Sequence, residues 1–367
     1  MFGSYRTFLA VLVIANHIGG IYEVGRYAVY GFFVLSGYLM TYITSNKYGY
    51  SSSGQGKYFV NRLLRIFPTY WASIGLMLLV GVFVGFEEVS SFHELITIPT
   101  DGLGYFENIF LCLGWYTESR FLPQAWALTT ELIFYGLIGI GISKTKCRAK
   151  VWFGVSIMYM FFAAIIDRAY SLSWLFSYFY PLSGSLAFAS GSMIFHYRST
   201  LHQIINKRIC GVQVAQIGCV IFMASFVLNF LLYRYGYSPS RFLSFYANYV
   251  CQVGMIICLI SVSLPSWASS IDKKIGDYSY PIYLNHYACA ILIWQFFPSL
   301  GIRYSMPLLV ATIPVCFVLA WVFIVLIEKN VERVRDFIKQ GLSLQVRPEA
   351  VVPVVVVRES ENAKSIK

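Results

Sequence analysis

The sequence predicts an all-α, polytopic transmembrane helical bundle of about ten spans, with both termini on the cytoplasmic side. Three observations carry this. Of 367 residues, 57% are hydrophobic and 12% charged, about half the charge of a soluble domain. Aromatic residues reach 18%, which suits two interfacial belts of Tyr and Trp. The apolar residues gather in blocks of transmembrane length, at 5–21, 27–44, 66–86, 125–142, 151–167, 173–195, 211–233, 243–264, 280–298 and 305–327. The first, second and fourth are weak as isolated hydropathy signals, and no internal repeat is evident.

Charge sets the orientation. With the N-terminus inside, 22 of the 28 Lys and Arg fall in inner loops, the first turn and the C-terminal tail. Only Arg26, Arg120, Arg168, Arg234, Arg241 and Arg303 fall outside. That bias is the positive-inside signature and places N and C termini in the cytoplasm. The net charge of +11 is not a nucleic-acid footprint, because the basic residues lie between apolar segments and form no block with interleaved aromatics. The eight cysteines show no CxxC spacing and read as small core residues, with no metal site and no disulfide framework. Residues 1–330 are expected to form one membrane domain and 331–367 a cytoplasmic, disordered tail. The first segment carries no cationic leader or cleavage signal and is expected to be retained as a helix.

In the first span, Arg6 and His17 are eleven residues apart. Eleven helical steps of ~100° return to within about 20° of a full turn, so both share one face roughly 16 Å apart, with Ala10 and Val13 between them. Arg6 alone reads equally as a snorkelling interfacial cation, but an ionisable residue inside a membrane helix is a functional candidate by default. The second span holds GFFVLSGYLMT (31–41), in which Ser36 and Gly37 serve either close helix packing or a pocket wall. Before the third span, SSSGQG (51–56) marks a flexible inner loop. The span opens with RLLRIFPTYW (62–71), placing Arg62 and Arg65 on one helix face. Two guanidiniums there either fork a phosphate or anchor the helix to anionic lipid, and Pro68 kinks or starts the span.

The longest loop, 87–124, is acidic and expected outside; its stretch 103–116 is too short to span and is expected to lie in or dip into the interface. In the fourth span, WALTTELIFY (126–135) buries Glu131, a carboxylate that needs a partner: an arginine or histidine in a structural pair, or His17 in a functional one. The ninth span begins IGDYSYPIYLNHY (275–287) and surrounds His286 with Ser279, Tyr280, Tyr283 and Asn285, the pattern of a pocket wall. His93, His196 and His202 fall in loops and attract no role.

Six of these blocks occur in the order of a known family: Arg6 with His17, FFVLSGYLMT, RLLRIFPTYW, QAWALTTELIFY, DYSYPIYLNH and the closing IEK (327–329). Over residues 5–330 the chain resembles the membrane acyltransferase-3 family, in the style and length of the O-antigen acetylases. Two positions depart from the family pattern. FGSYRT stands where "LDGLRG" is usual, so no acidic residue accompanies the arginine, and Ala127 stands where serine usually follows the tryptophan. The resemblance implies a bacterial inner-membrane enzyme that moves an acyl group, often acetyl, from cytoplasmic acyl-CoA to a hydroxyl of a cell-envelope sugar. Acyl-CoA is then a co-substrate, with no bound cofactor. The partners are the donor, a glycan or lipid-linked sugar and membrane lipid, and no nucleic acid. On that reading Arg62 and Arg65 hold the donor phosphates and Arg6 orients the thioester end. His17 acts as general base or acyl carrier, and Glu131 orients or stabilises the imidazole. Ser36, Gly37, Tyr283 and His286 are candidates for the pocket wall. Composition alone also admits a proton-coupled transporter of a small polar substrate, which the missing repeat disfavours.

Overall fold

The computed structural model describes residues 2–112, 119–172, 174–209, 212–237, 240–262 and 264–335. Thirteen α-helices run through them: α1 (Phe2–His17), α2 (Val24–Ile43), α3 (Ser52–Val84), the short α4 (Phe86–Phe92) and α5 (Gly102–Phe110), α6 (Trp126–Ile140), α7 (Lys146–Ala169), α8 (Ser185–Ile205), α9 (Val214–Arg234), α10 (Arg241–Leu259), α11 (Ser266–Asp277), α12 (Ser279–Phe296) and α13 (Met306–Phe323). A two-residue antiparallel ladder, Arg208–Ile209 with Val212–Gln213, is the strand structure among the described residues.

Each of the ten expected spans overlaps one of these helices. Six helical runs are long and apolar enough to cross a membrane: Val24–Tyr48, Ser52–Val84, Lys146–Ala169, Val214–Arg234, Arg241–Leu259 and Met306–Arg335. The other four, α1, α6, α8 and α12, are short or carry polar groups, and the reason is their position. Of the 18 residues of α12, only a few escape burial, so its neighbours are other helices and it needs no lipid-facing surface. The runs that do face lipid show the reverse: 11% of the apolar window in α9 is buried, against 67% in the run that begins with α2. Polarity inside and apolarity outside follows when lipid, not water, is the solvent.

α2 is the central post, packed on α8, α1, α10 and α6. Its contact with α8 is backbone to backbone. A Cβ added at Gly37 would lie 2.2 Å from the Phe188 carbonyl oxygen, and one at Gly191 would lie 2.0 Å from that of Val34. This close approach of small residues is the packing device open to helices that gain nothing hydrophobic by leaving lipid.

Three expectations are corrected. Residues 51–56 are not a flexible loop: Ser51 accepts from the Gly54 amide at 3.2 Å and caps α3, which begins at Ser52. Serine is a favoured N-cap residue, and Pro68 then falls inside a long helix and starts nothing. The sixth segment is shifted, because Tyr180 and Pro181 turn the chain through short π- and 3-10 turns, so that α8 begins only at Ser185. The stretch 266–277 forms α11, and this helix anchors α1: the Gly3 and Ser4 amides donate to the Asp272 carboxylate at 3.0 and 2.9 Å. Those amides have no intrahelical partner, so an acid on a neighbouring helix caps α1 from outside. The helical run after α13 reaches Arg335, five residues past the expected boundary at 330. The remainder of the expected tail, 336–367, and residues 113–118 of the outer loop lie outside the described residues.

Candidate functional site

A cavity of about 650 Å³ opens within the bundle. Six cations line it: Arg6 from α1, Lys47, Lys57, Arg62 and Arg65 from α3 and the turn before it, and Arg335 from the end of the last helical run. Among the described residues one carboxylate, Glu131 of α6, faces them. The helical spacing of Arg62 and Arg65 brings both to the lining. Their settings differ, however. Arg62 is buried and donates to the Asn61 side chain at 2.8 Å, with its Nε left unpartnered, whereas Arg65 is exposed. A buried guanidinium nitrogen with no acceptor is costly and marks where an anionic oxygen fits.

Arg6 is held by direction as well as charge. Ser279 at the start of α12 donates to the Gly276 carbonyl at 2.7 Å, which turns its lone pairs toward Arg6, whose Nη2 donates to Ser279 at 3.0 Å. No carboxylate lies within ion-pairing distance of Arg6 among the described residues. Its guanidinium is therefore left to stabilise a carbonyl or anion entering from the cavity.

Glu131 does not meet His17. Its carboxylate accepts from Tyr135 at 2.8 Å and from Ser36 at 3.2 Å, with the Tyr135 hydroxyl also 3.3 Å from Ser36. Glu131 and Tyr135 are one turn apart on α6, and Ser36 faces them from α2. The expectation that this carboxylate orients the imidazole is overturned, since two hydroxyls satisfy it inside the cavity.

The cavity has a floor. Gln124, just before α6, donates through its amide to the Leu284 carbonyl at 2.6 Å, and the Tyr283 hydroxyl donates to the Gln124 carbonyl at 2.6 Å. Phe32 packs edge-on against Tyr283. Ser36 and Tyr283 line the cavity. Gly37 and His286 do not: Gly37 is consumed by the α2–α8 contact, and His286 lies one turn beyond Tyr283, wholly buried.

Past the floor, His17 at the end of α1 meets His286, with Nδ1 of His17 2.9 Å from Nε2 of His286. The His17 ring lies nearly parallel to those of His286 and Tyr287, with centroids 5.1 and 5.3 Å apart, and meets His286 edge to edge through that contact. His93, in the connection after α4, meets the Tyr287 ring edge-on at 5.0 Å. Arg303, before α13, donates to the His17 carbonyl at 3.3 Å and lies over the Tyr287 ring. The stripe Arg6, Ala10, Val13, His17 is real, and Ala10 and Val13 are buried along it, so α1 joins the cavity to the histidine cluster along one packed face. His93 was missed because a loop histidine carries no periodicity to place it. Burial, reinforced by Arg303, holds its imidazole down to about 3, so it stands neutral beside Tyr287. No group of three or more His, Cys, Asp or Glu among the described residues has the geometry to hold a metal ion.

Apolar helices facing lipid, a cation-lined cavity and an imidazole pair, His286 buried and His17 half-buried, together define a multi-pass membrane protein with the groups of an enzyme. The chain belongs to the acyltransferase-3 family: the family model described as an acyltransferase domain, Acyl_transf_3, matches residues 5–326. It is a membrane acyltransferase. No curated protein and no solved structure matches the chain significantly.

Proposed function

We propose that the protein is an O-acyltransferase of the bacterial inner membrane. It moves an acyl group, acetyl in the first instance, from cytoplasmic acyl-CoA to a hydroxyl of a cell-envelope sugar such as O-antigen or another surface polysaccharide. The observation that carries this is the cavity: six cations around one carboxylate, in a space of about 650 Å³, suit a polyanionic donor with a narrow acyl-bearing arm. All six belong to the segments that the charge bias puts on the inside, which supports N-in, C-in and a donor arriving from the cytoplasm. Arg62 and Arg65 hold donor phosphates. Arg6 receives the thioester carbonyl, and Glu131, with Ser36 and Tyr135, sets the polarity of the wall beside it.

His17 is the base for the acceptor hydroxyl. It stands beyond the floor, so transfer requires the Tyr283–Gln124 contact to part and admit the thioester. The acceptor then approaches from the opposite end of the bundle, and the acyl group crosses between two compartments along the α1 face. The test is purified protein in proteoliposomes with radiolabelled acetyl-CoA and surface polysaccharide. Label should pass to the glycan, with free thiol released in step. Uptake of a solute without loss of thioester would make the protein a carrier and overturn the reading.

A further inference from the structure

The histidine pair has a direction that the sequence does not disclose. Nδ1 of His286 lies 2.8 Å from the carbonyl oxygen of Tyr283. A carbonyl only accepts, so Nδ1 of His286 carries the proton, and in the neutral ring Nε2 is left as an acceptor. That acceptor is 2.9 Å from Nδ1 of His17. Nδ1 of His17 must therefore be the donor, and its own lone pair falls on Nε2. The other groups around the pair leave this assignment alone. Arg303 addresses the His17 backbone carbonyl and not its ring, and Nδ1 of His93 accepts from the Leu95 amide at 3.2 Å. Tyr287 offers its ring face to His17 and its ring to His93. No carboxylate bonds to any of these imidazoles among the described residues.

We propose that His286, fixed by the Tyr283 carbonyl, is a positioning residue that locks His17 in the Nδ1–H tautomer and so presents Nε2 as the bare base of the transfer reaction. This deepens the acyltransferase reading and rests on it for the reaction, though not for the tautomer. A serine hydrolase uses a carboxylate for the same task. Here a neutral imidazole does it, and the chain carbonyl–imidazole–imidazole carries no net charge. That difference shapes the step. The acceptor O–H gives its proton to Nε2 of His17 as its oxygen bonds to the thioester carbonyl carbon. The C–S bond breaks, and the departing thiolate takes the proton back from Nε2. Nδ1 keeps its proton throughout, pointing at His286. With no anion beside it and Arg303 close by, an imidazolium on His17 has little to hold it, so the proton is handed on rather than stored.

The same residue explains the floor. Tyr283 supplies the hydroxyl that bonds Gln124 and the carbonyl that orients His286, so one turn of α12 both closes the cavity and sets the base.

The experiment has two arms. In the first, the protein labelled with ¹⁵N-histidine in lipid nanodiscs is read by solid-state NMR, with His17→Gln used to assign its signals. We expect His17 to show a protonated Nδ1 and a bare Nε2. A protonated Nε2 in the wild-type protein would overturn the proposal whatever the reaction proves to be. In the second arm, His286→Phe keeps ring shape and removes the acceptor, and His286→Gln keeps an acceptor. The Phe variant should lose about 10²-fold in kcat with KM for acetyl-CoA unchanged, and the Gln variant should recover most of that loss. Wild-type kcat in the Phe variant would refute the role. If neither protein transfers acetyl, the donor assignment fails while the NMR arm still decides the tautomer.

Discussion

At the Arg6 end of the bundle, six cations line an open cavity around a single carboxylate. At the His17 end, three imidazoles and a guanidinium pack around Tyr287, with the central histidine wholly buried. The first arrangement works by long-range charge and leaves its groups accessible. The second works by directed hydrogen bonds around a buried imidazole, where a further charge is expensive. Binding a polyanion needs accumulated charge and tolerates loose geometry. Taking a proton needs one lone pair aimed correctly and gains from low polarity around it. On the proposed reading the chain separates the two tasks by about three turns of α1.

The comparison breaks first at His17. His17→Ala should insert and fold, because one imidazole at a helix end contributes little to a bundle of this size. Transfer should nonetheless fall by about 10²–10⁴-fold with the donor KM unchanged. Near-normal transfer by the variant, with its presence shown by immunoblot, would move the chemistry into the cavity, to Glu131.

The opposite signature is expected at the other end. Arg62→Ala with Arg65→Ala should raise the acetyl-CoA KM by about 10- to 100-fold, the loss of one or two charge-assisted hydrogen bonds. Raising salt should weaken the wild-type protein in the same sense. The double Lys variant should insert as well as wild type without regaining affinity, since an ammonium cannot fork a phosphate. Equal affinity in the Lys pair would reduce these residues to lipid anchors.

A smaller effect sharpens the boundary between the regions. Tyr283→Phe removes one hydrogen bond to Gln124, keeps the ring, and leaves the backbone carbonyl that orients His286. Idle hydrolysis of acetyl-CoA without acceptor should rise by about 3- to 10-fold, the equivalent of one neutral hydrogen bond. An unchanged idle rate would show that the floor is held by packing alone.

The smallest concerns His93. Burial, then Arg303 and His286, depress its pKa to about 3. In the unfolded chain it titrates near 6.5, so its contribution is fully present above that value and is lost as pH falls from about 6.5 toward 3. His93→Gln should flatten the decline in thermal stability over that window. Parallel curves for both proteins would mean that His93 is not held neutral.

How much of this was visible in the sequence varies with the distance over which each feature is determined. The Arg6–His17 stripe and the Arg62–Arg65 pair are local, set by helical spacing, and the structure keeps both. The partners of Glu131 are not local: a carboxylate inside a membrane span needs a partner, which left His17 or a structural arginine or histidine open, but which helix faces α6 is a matter of packing, and Ser36 with Tyr135 holds it. The start of α3 was hidden because serine and glycine read as a loop by composition, while Ser51 acts through its position before the helix. α8 was misplaced because hydropathy ignores the turn at Pro181. His93 and the direction of the histidine pair needed coordinates, since only a fold brings residues 17, 93, 286 and 303 together.

The floor at Gln124 and Tyr283 bears on something outside the reaction. A cation-lined vestibule that continued through the bundle would be an anion pore, and each elementary charge crossing 100 mV dissipates about 2.3 kcal/mol. A membrane whose energy is stored as voltage tolerates few such leaks. Two short hydrogen bonds, from Gln124 to the Leu284 carbonyl and from Tyr283 to that of Gln124, stand where such a path would have to be closed. If the donor is an acyl-CoA thioester, as proposed, turnover is set by how fast that contact opens around it, and the apolar acyl arm fills the gap while the acyl group passes.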